Sequence, residues 1–514
     1  VGIGARTVSA RLGFAVLFSS SMRLRGDVLV TARSSGLELW DQSTGLRFEL
    51  PADPPELERL EGAAWEDLQA LGLVDEGLTH EQILARQAPF RVAAATQGRS
   101  DRLKQLLRFA TEKVPFYRQR RSAYAAELVG EGDDLQELPL LRKADVRAQF
   151  DALLADGIDV AAGLESGALA LSTTSGTTGE KLQVVSDMGL HGYPPNFPWI
   201  WVLPPIEGMA WTGVFTSPSC SATECHLGLR TFEERTRGGN TLFLNSTEDL
   251  FGLKRPLIEN VLEELHRLRP TFLLCNPIYL HWLARRAAEL SLPIPHIPVV
   301  LSSYQYLPEL SRRAIERLLK TKVYDYYAAS DLGGCRAGVE CDHHRVHVRE
   351  DQSHLEVLGP DGPLAAGELG AIAVTTVASR VMPLVRYLVG DLGRFTAPCD
   401  CPFADWRTIE LHGRARDLLR VGERWVTTRD VDQVLAQSKG VDFYRVTQTA
   451  SDTLQVAVVP SGLEPVDAAH LVGLLREQLG VAAVAVKQVA RLDPEESMKF
   501  RLTESKIVAP REFL

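Results

Sequence analysis

A basic excess, paired cysteines and long apolar runs are all missing from this sequence. Its 514 residues carry 56 Lys and Arg against 66 Asp and Glu, a formal net charge of −10. No basic stripe is there to release counterions from a polynucleotide, so nucleic acid is not the expected partner and any bound nucleotide is a small molecule. No stretch approaches the ~18 apolar residues of a membrane span, so the chain is not expected to cross a membrane. Seven cysteines, an odd and thinly spread count, argue against a secreted disulfide framework and for reduced thiols or metal ligands in a cytoplasmic setting. With 45% hydrophobic and 24% charged residues the balance is that of a soluble globular protein, and the length predicts roughly three domains.

At the N-terminus, Arg6 and Arg11 precede the short apolar run Leu12 to Phe18, the outline of a signal peptide. An upstream misassigned start, with Met22 opening the first domain, is the favoured reading, and residues 1–24 are set aside as such a start or as a disordered segment. From Asp27 to Leu50, β-rich runs alternate with Ser35-Gly36 and Thr44-Gly45, which predicts a meander of short strands. Leu57, Leu60, Trp65, Leu68 and Leu71 then mark a helical face running to Val74. Together they predict a small accessory domain over residues 25–95.

Beyond it, Leu103, Leu106, Leu107, Ala110 and Val114 describe an amphipathic helix that Pro115 interrupts. Apolar runs of strand length then alternate with helices: Thr271 to Cys275 before Pro277 to Leu290, Val299 to Ser302 before Pro308 to Lys320, and finally Val323 to Tyr327. Parallel strands need helical crossovers, so this rhythm predicts parallel α/β layers. Short strands around Gly359-Pro-Asp-Gly362 and Gly367-Glu-Leu-Gly370 predict a smaller β layer, and the stretch after Asp417 a compact α+β unit.

The segment Ser172-Thr-Thr-Ser-Gly-Thr-Thr-Gly179 follows an apolar run and is closed by Lys181. Its glycines let backbone amides approach an anion while its hydroxyls donate to it, so it predicts a phosphate-binding loop. It is not a Walker loop, because two residues rather than four separate Gly176 from Gly179 and Lys181 follows a Glu.

Thr174-Ser-Gly-Thr-Thr-Gly179 resembles the phosphate loop of the adenylate-forming acyl-CoA synthetase superfamily, and four later segments match that superfamily in order: Tyr327-Ala-Ala-Ser-Asp331, Pro383 to Asp391, Gly413-Arg-Ala-Arg-Asp417 and Met498-Lys-Phe-Arg501. Val114-Pro-Phe-Tyr117, Leu138 to Asp145, Glu340-Cys341 with His347, and Cys399-Asp-Cys401 resemble the phenylacetate–CoA ligase branch in particular. The resemblance covers about residue 95 to the end. It implies an α/β fold with a large adenylation domain of layered parallel sheets and a β subdomain (96–413) and a small mobile α+β C-terminal domain (414–514). The accessory domain loosely resembles the winged-helix peptide-binding domains of enzymes that tailor ribosomal peptides; a structural appendage is its plainer reading.

The activity so implied is activation of a carboxylic acid by ATP to an acyl-adenylate, followed by transfer to a thiol of coenzyme A or of a carrier protein's phosphopantetheine, in natural-product biosynthesis if the latter. Carried over residue by residue, ATP is held by Thr174, Ser175, Gly176, Thr177, Thr178, Gly179, Lys181, Tyr327, Ser330, Asp391 and Arg414. Thr178, Asp331 and Lys499 are the catalytic set, with Asp331 standing for the family Glu that holds Mg²⁺ and Ala328 for its Gly. Arg416 is the hinge and Lys499 the mobile lysine, preceded by Met498 where Gly is expected. Cys341, His347, Cys399 and Cys401 form a structural Zn²⁺ set, with His343 or His344 as rival ligands. Tyr193, Trp199, Trp211, Phe215 and Tyr304 are the candidate acyl pocket, suited to a flat aromatic acid. Two other functions stay open: transfer of the acyl group to an amine or other nitrogen nucleophile, and a non-catalytic ATP- or peptide-binding protein of the same fold.

Overall fold

The computed structural model describes residues 25–507 apart from 26–27, 34–35, 42–46, 51–67, 71, 75, 78–81, 83–97, 131–133, 174–181, 191–210, 219–229, 238–239, 402 and 404–405. These residues fall into two compact units, one N-terminal to residue 95 and one from there on. In the first, β1 (Val28–Arg33), β2 (Gly36–Asp41) and β3 (Arg47–Leu50) form an antiparallel meander. Most of the helix expected from Leu57 to Val74 lies outside the described residues, with helical backbone over 68–70.

The second unit opens with α1 (Gly98–Lys113). Pro115 ends its hydrogen bonding and starts a fresh helical turn at Pro115–Arg118, as a residue without an N–H can at the first helical position. Strands β4 (Leu169–Thr173) and β5 (Gln183–Asp187) pair antiparallel. The main sheet is built from β6 (Thr212–Phe215), β7 (Thr236–Arg237), β8 (Thr241–Phe243), β9 (Phe272–Cys275), β10 (Val299–Ser302) and β11 (Val323–Tyr327). It continues through β12 (Gly338–Glu340), β13 (Val346–Val348), β14 (His354–Gly359), β15 (Gly362–Pro363), β16 (Gly370–Thr375), β17 (Tyr387–Thr396) and β18 (Thr408–Arg414).

Those 13 strands form one mixed sheet in the order β15-β14-β16-β17-β18-β13-β12-β11-β10-β9-β6-β8-β7. Strands β8, β6, β9, β10 and β11 run parallel, and from β12 onward the pairing is antiparallel. The smaller β layer expected from the sequence is therefore not a separate sheet, because the β11–β12 pairing joins it edge to edge to the parallel strands.

Three crossover helices cover the parallel strands: α2 (Arg255–Leu268), α3 (Pro277–Glu289) and α4 (Glu309–Leu319). Ile258, Val261, Leu262 and Leu265 recur at helical spacing and are buried on one face of α2. Asn276 caps α3 by accepting from the amides of Ile278 and Tyr279. Arg269 and Lys320 end α2 and α4 in the left-handed conformation.

After β18 come β19 (Leu419–Val421), β20 (Arg424–Val426), α5 (Thr428–Leu435), β21 (Val441–Ala450), β22 (Thr453–Pro460), α6 (Ala468–Leu479), β23 (Ala483–Gln488) and β24 (Thr503–Ser505). The four-stranded sheet β23-β22-β21-β24 has its own core, including Leu435, Val446, Val456, Leu471 and Leu475. Phe443, Val459, Leu492 and Phe500 instead join the apolar cluster of α2 and α3. Phe443 and Phe500 both set an edge against Phe251, at 5.7 Å between ring centroids. No helix among the described residues is long and apolar enough to cross a membrane.

Candidate active site

Ligands of open α/β sheets bind beyond the carboxyl ends of the strands, and there the structure gathers residues from segments far apart in the sequence. Tyr327 ends β11, and a turn of 3₁₀-helix, Ser330–Leu332, carries Asp331. Asp391 on β17 stands opposite Arg414 on β18 in the ladder. Gly390 precedes it at φ +87, and Gly413 at φ +92 packs so closely on Thr428 that a Cβ would sit 2.6 Å from that side chain. Only glycine meets both demands at Gly413.

The Tyr327 hydroxyl donates to Asp391 Oδ2 at 3.0 Å, and Arg414 Nε lies 3.4 Å from Asp391 Oδ1. Tyr387, at the start of β17, donates to Asp331 Oδ2 at 2.6 Å, with Lys143 Nζ 3.6 Å from the same oxygen. Burial, and next the neighbouring carboxylate, hold both phenols well above their usual range, so they stay protonated donors. Arg414 is raised by Asp391 and stays charged.

Lys499 is half-buried beside this group. Burial and the charge of Arg414 push its ammonium down to about 8, against the opposing pull of Asp391 and Asp331. Met498 adopts φ +57. That conformation is why glycine is expected before this lysine, and a Met there carries strain of roughly 1–2 kcal/mol. Arg416 sits in the 3₁₀ turn Ala415–Asp417 after β18 and pairs with Glu495 at 2.9 Å, while Arg501 bonds both Asp417 (2.5 Å) and the Arg416 carbonyl (2.9 Å). Asp417 is thus bonded by Arg501, with Arg416 Nε 3.5 Å away, while Arg414 pairs with Asp391.

Residues Thr174, Ser175, Gly176, Thr177, Thr178, Gly179 and Lys181 lie outside the described residues, as do Tyr193 and Trp199. Strands β4 and β5 are described: the Ser172 and Ser186 hydroxyls bond between them at 2.9 Å, and the Asp187 amide donates to Gly333, two residues after Asp331. Two further members of the expected acyl pocket lie at opposite ends of β6. Trp211 stands at the amino end of β6, the wrong end for a ligand, with its ring on Phe232 at 5.8 Å. Phe215, at the carboxyl end of β6, is 1% exposed and packs with the apolar cluster of α2 and α3. Tyr304 does lie just past the carboxyl end of β10, at φ +72. Tyr387 and Lys143 escape a motif-based reading of roles, although both fall inside segments that carry the family resemblance.

A second cluster lies at the far end of β17 and β18. Cys341 and His347 flank the β12–β13 hairpin, and Cys399 and Cys401 lie in the β17–β18 connection; all four are buried, with ligand atoms within 4.8 Å of one another. Cys341 Sγ and Cys399 Sγ are 3.8 Å apart, the edge expected of a tetrahedron with Zn–S bonds of about 2.3 Å. His347 turns Nε2 toward Cys401 Sγ at 3.2 Å, and its Nδ1 lies 3.3 Å from the Trp406 carbonyl, the outer contact that orients a ligating imidazole. Of the rivals, His344 contacts Glu340 and Arg312, and His343 contacts Asp400 while reaching Cys399 Sγ at 3.6 Å. The donor set fits a closed four-ligand zinc site.

No family model matches the chain. It is 26% identical to the phenylacetate-coenzyme A ligase of Thermus thermophilus over 369 residues, 70% of this chain and 79% of that one. Against the phenylacetate-coenzyme A ligase of Escherichia coli it is 26% identical over 312 residues, 57% of this chain and 66% of that one. Among solved structures it shares the fold of a 2-hydroxyisobutyryl-CoA ligase in the postadenylation state, with a TM-score of 0.58 and 17% identity over 79% of this chain and 89% of that one.

Proposed function

We propose that this phenylacetate–CoA ligase-like chain activates an aromatic carboxylic acid with ATP, releases pyrophosphate, and passes the acyl group to the thiol of coenzyme A or of a carrier-borne phosphopantetheine. Its likeness to phenylacetate-coenzyme A ligases makes it an AMP-forming acid–thiol ligase; the acid and the thiol carrier are what is proposed. The observation that carries the reading is the convergence of Lys499, Asp391, Arg414 and Asp331, from segments far apart in the sequence, on one site.

Asp391 has about four lone-pair sites, and Tyr327 and Arg414 use two of them, so two face the ribose hydroxyls. The substrate carboxylate attacks the α-phosphorus and pyrophosphate departs on the opposite side. Lys499 places its ammonium between the incoming carboxylate and the phosphate, where charge accumulates. Asp331 would hold Mg²⁺: Tyr387 and Lys143 both contact Oδ2, leaving Oδ1 for the cation among the described residues. Bound there, the ion would offset phosphate charge. The loop 174–181 would cradle the β- and γ-phosphates, and rotation about Arg416 would then exchange the Lys499 face of the C-terminal domain for a thiol-binding face.

The aromatic preference draws support from Tyr304 and from the substrate named for the relatives. A carrier protein's phosphopantetheine is the alternative to free coenzyme A as the thiol.

The test is acid-dependent ATP–pyrophosphate exchange over a panel of arylacetic, aryl and aliphatic acids, with product mass spectrometry in the presence of coenzyme A or a pantetheinylated carrier. Exchange with no acid of the panel would overturn the reading, and an amide formed when thiols are omitted would replace its second half. For the second cluster, purified protein is expected to contain about one zinc per chain by atomic emission. Cys399→Ser should lose that zinc and melt ~5 °C lower or more, at 2–4 °C per kcal/mol; full zinc retention in that variant would remove Cys399 from the site.

A further inference from the structure

A lysine on a long flexible side chain acts on one phosphate only if its backbone is held. Lys499 closes a tight turn in which the Glu495 amide donates to the Lys499 carbonyl (2.9 Å) and the Met498 amide to the Glu495 carbonyl (2.8 Å). That turn fixes the lysine relative to its own domain. Two bonds fix it to α3 and to the connection that follows β10. The Tyr279 hydroxyl donates to the Met498 carbonyl at 3.4 Å, and the Phe500 amide donates to Gln305 Oε1 at 3.2 Å.

Gln305 follows the carboxyl end of β10, next to Tyr304. Its Oε1 also accepts from Asn276 Nδ2 at 3.1 Å, and Asn276 uses its own Oδ1 to cap α3. One oxygen thus joins the start of α3, the end of β10 and the residue after Lys499. With Oε1 so committed, Gln305 Nε2 is buried and finds no acceptor among the described residues. Leaving a donor unpaired costs about 1–3 kcal/mol, set against the two bonds that Oε1 accepts. Leucine or methionine would remove that donor but leave the Phe500 amide and Asn276 Nδ2 without this acceptor.

We propose that Gln305 is a positioning residue for the adenylation step, setting the Lys499 ammonium over the site through the Phe500 amide. The proposal rests on the reading of Lys499 as the adenylation lysine. It predicts a division of effects: the contact exists only while the C-terminal domain presents Lys499, so it serves acyl-adenylate formation and not thiol attack.

The experiment compares the wild-type chain with Gln305→Met, which keeps length and loses the acceptor, and with Gln305→Glu, which keeps an oxygen at that place. Three quantities are read: pyrophosphate exchange, thiolysis of separately supplied acyl-adenylate, and hydrogen–deuterium exchange of the peptide containing Phe500. In Gln305→Met the kcat for pyrophosphate exchange is expected to fall ~10- to 10²-fold, as for a displacement of about 1 Å. KM for ATP and the thiolysis rate should stay within about twofold, the Phe500 amide should lose protection, and Gln305→Glu should recover most of the rate. An unchanged kcat, or an equal loss in thiolysis, overturns the proposal. Should the wild-type chain exchange pyrophosphate with no acid, the functional reading fails on its own account and the amide decides: lost protection in Gln305→Met upholds the positioning contact, and unchanged protection overturns it.

Discussion

Lys499→Ala is expected to lower acid-dependent pyrophosphate exchange by about 10²- to 10³-fold, the range for removing one preorganised donor from a developing negative charge. Thiolysis of supplied acyl-adenylate should stay near the wild-type rate, because the proposed role of the ammonium is confined to the adenylating arrangement. The pH profile carries a second signature. Burial and Arg414 bring the ammonium down to about 8, so in the free enzyme the charged form is lost above pH 8 and not near the ordinary lysine value. The kcat/KM for ATP should therefore decline as pH rises through about 8. Anionic substrates restore the proton, so the limb in kcat should lie at higher pH. Measuring both limbs in wild type and in Lys499→Arg separates this group from other bases: the arginine variant should show no limb near 8, and persistence of that limb would assign it elsewhere.

Asp391→Ala should weaken ATP more than any other single change on the sheet side of the site. Two hydrogen bonds to a charged acceptor are lost at about 1.5–3 kcal/mol each, a fall of roughly 10²- to 10⁴-fold in kcat/KM for ATP. The variant also strips Tyr327 of its acceptor and Arg414 of its counter-charge. Asp391→Asn keeps one acceptor oxygen and should retain ~10-fold more activity. Titration with ATP, beside a melting curve to show that the fold persists, decides the matter; wild-type affinity in Asp391→Ala would place the ribose elsewhere.

Much of this arrangement is legible in the sequence, for reasons that differ by residue. The parallel strands announce themselves because each must be followed by a helix, and α2, α3 and α4 carry buried faces at helical spacing. The junction of β11 with β12 is not legible, since edge-to-edge pairing leaves no periodicity of its own. Cysteine and histidine are scarce enough that four converging ones stand out, and the geometry then favours His347 over His344. Aromatic residues lack that advantage. Trp211 and Phe215 look the same in sequence whether they line a pocket or fill a core, and only their placement at one end of β6 or inside the apolar cluster separates the cases. Gln305 is invisible for a related reason, because an amide carries no reactive signature and matters through what its oxygen joins.

The cluster of three cysteines and one histidine and the proposed nucleotide site share two strands. Cys399 and Cys401 lie in the connection between β17 and β18, and Asp391 and Arg414 face each other further along the same pair. His347, on β13, stands opposite Thr408 at the start of β18, about 20 Å of strand from Arg414. A slip of one residue along β18 would turn Arg414 to the other face of the sheet. With a metal bound, the cluster would act as a register pin. Loss of such a metal would then be expected to show as a weaker grip on ATP.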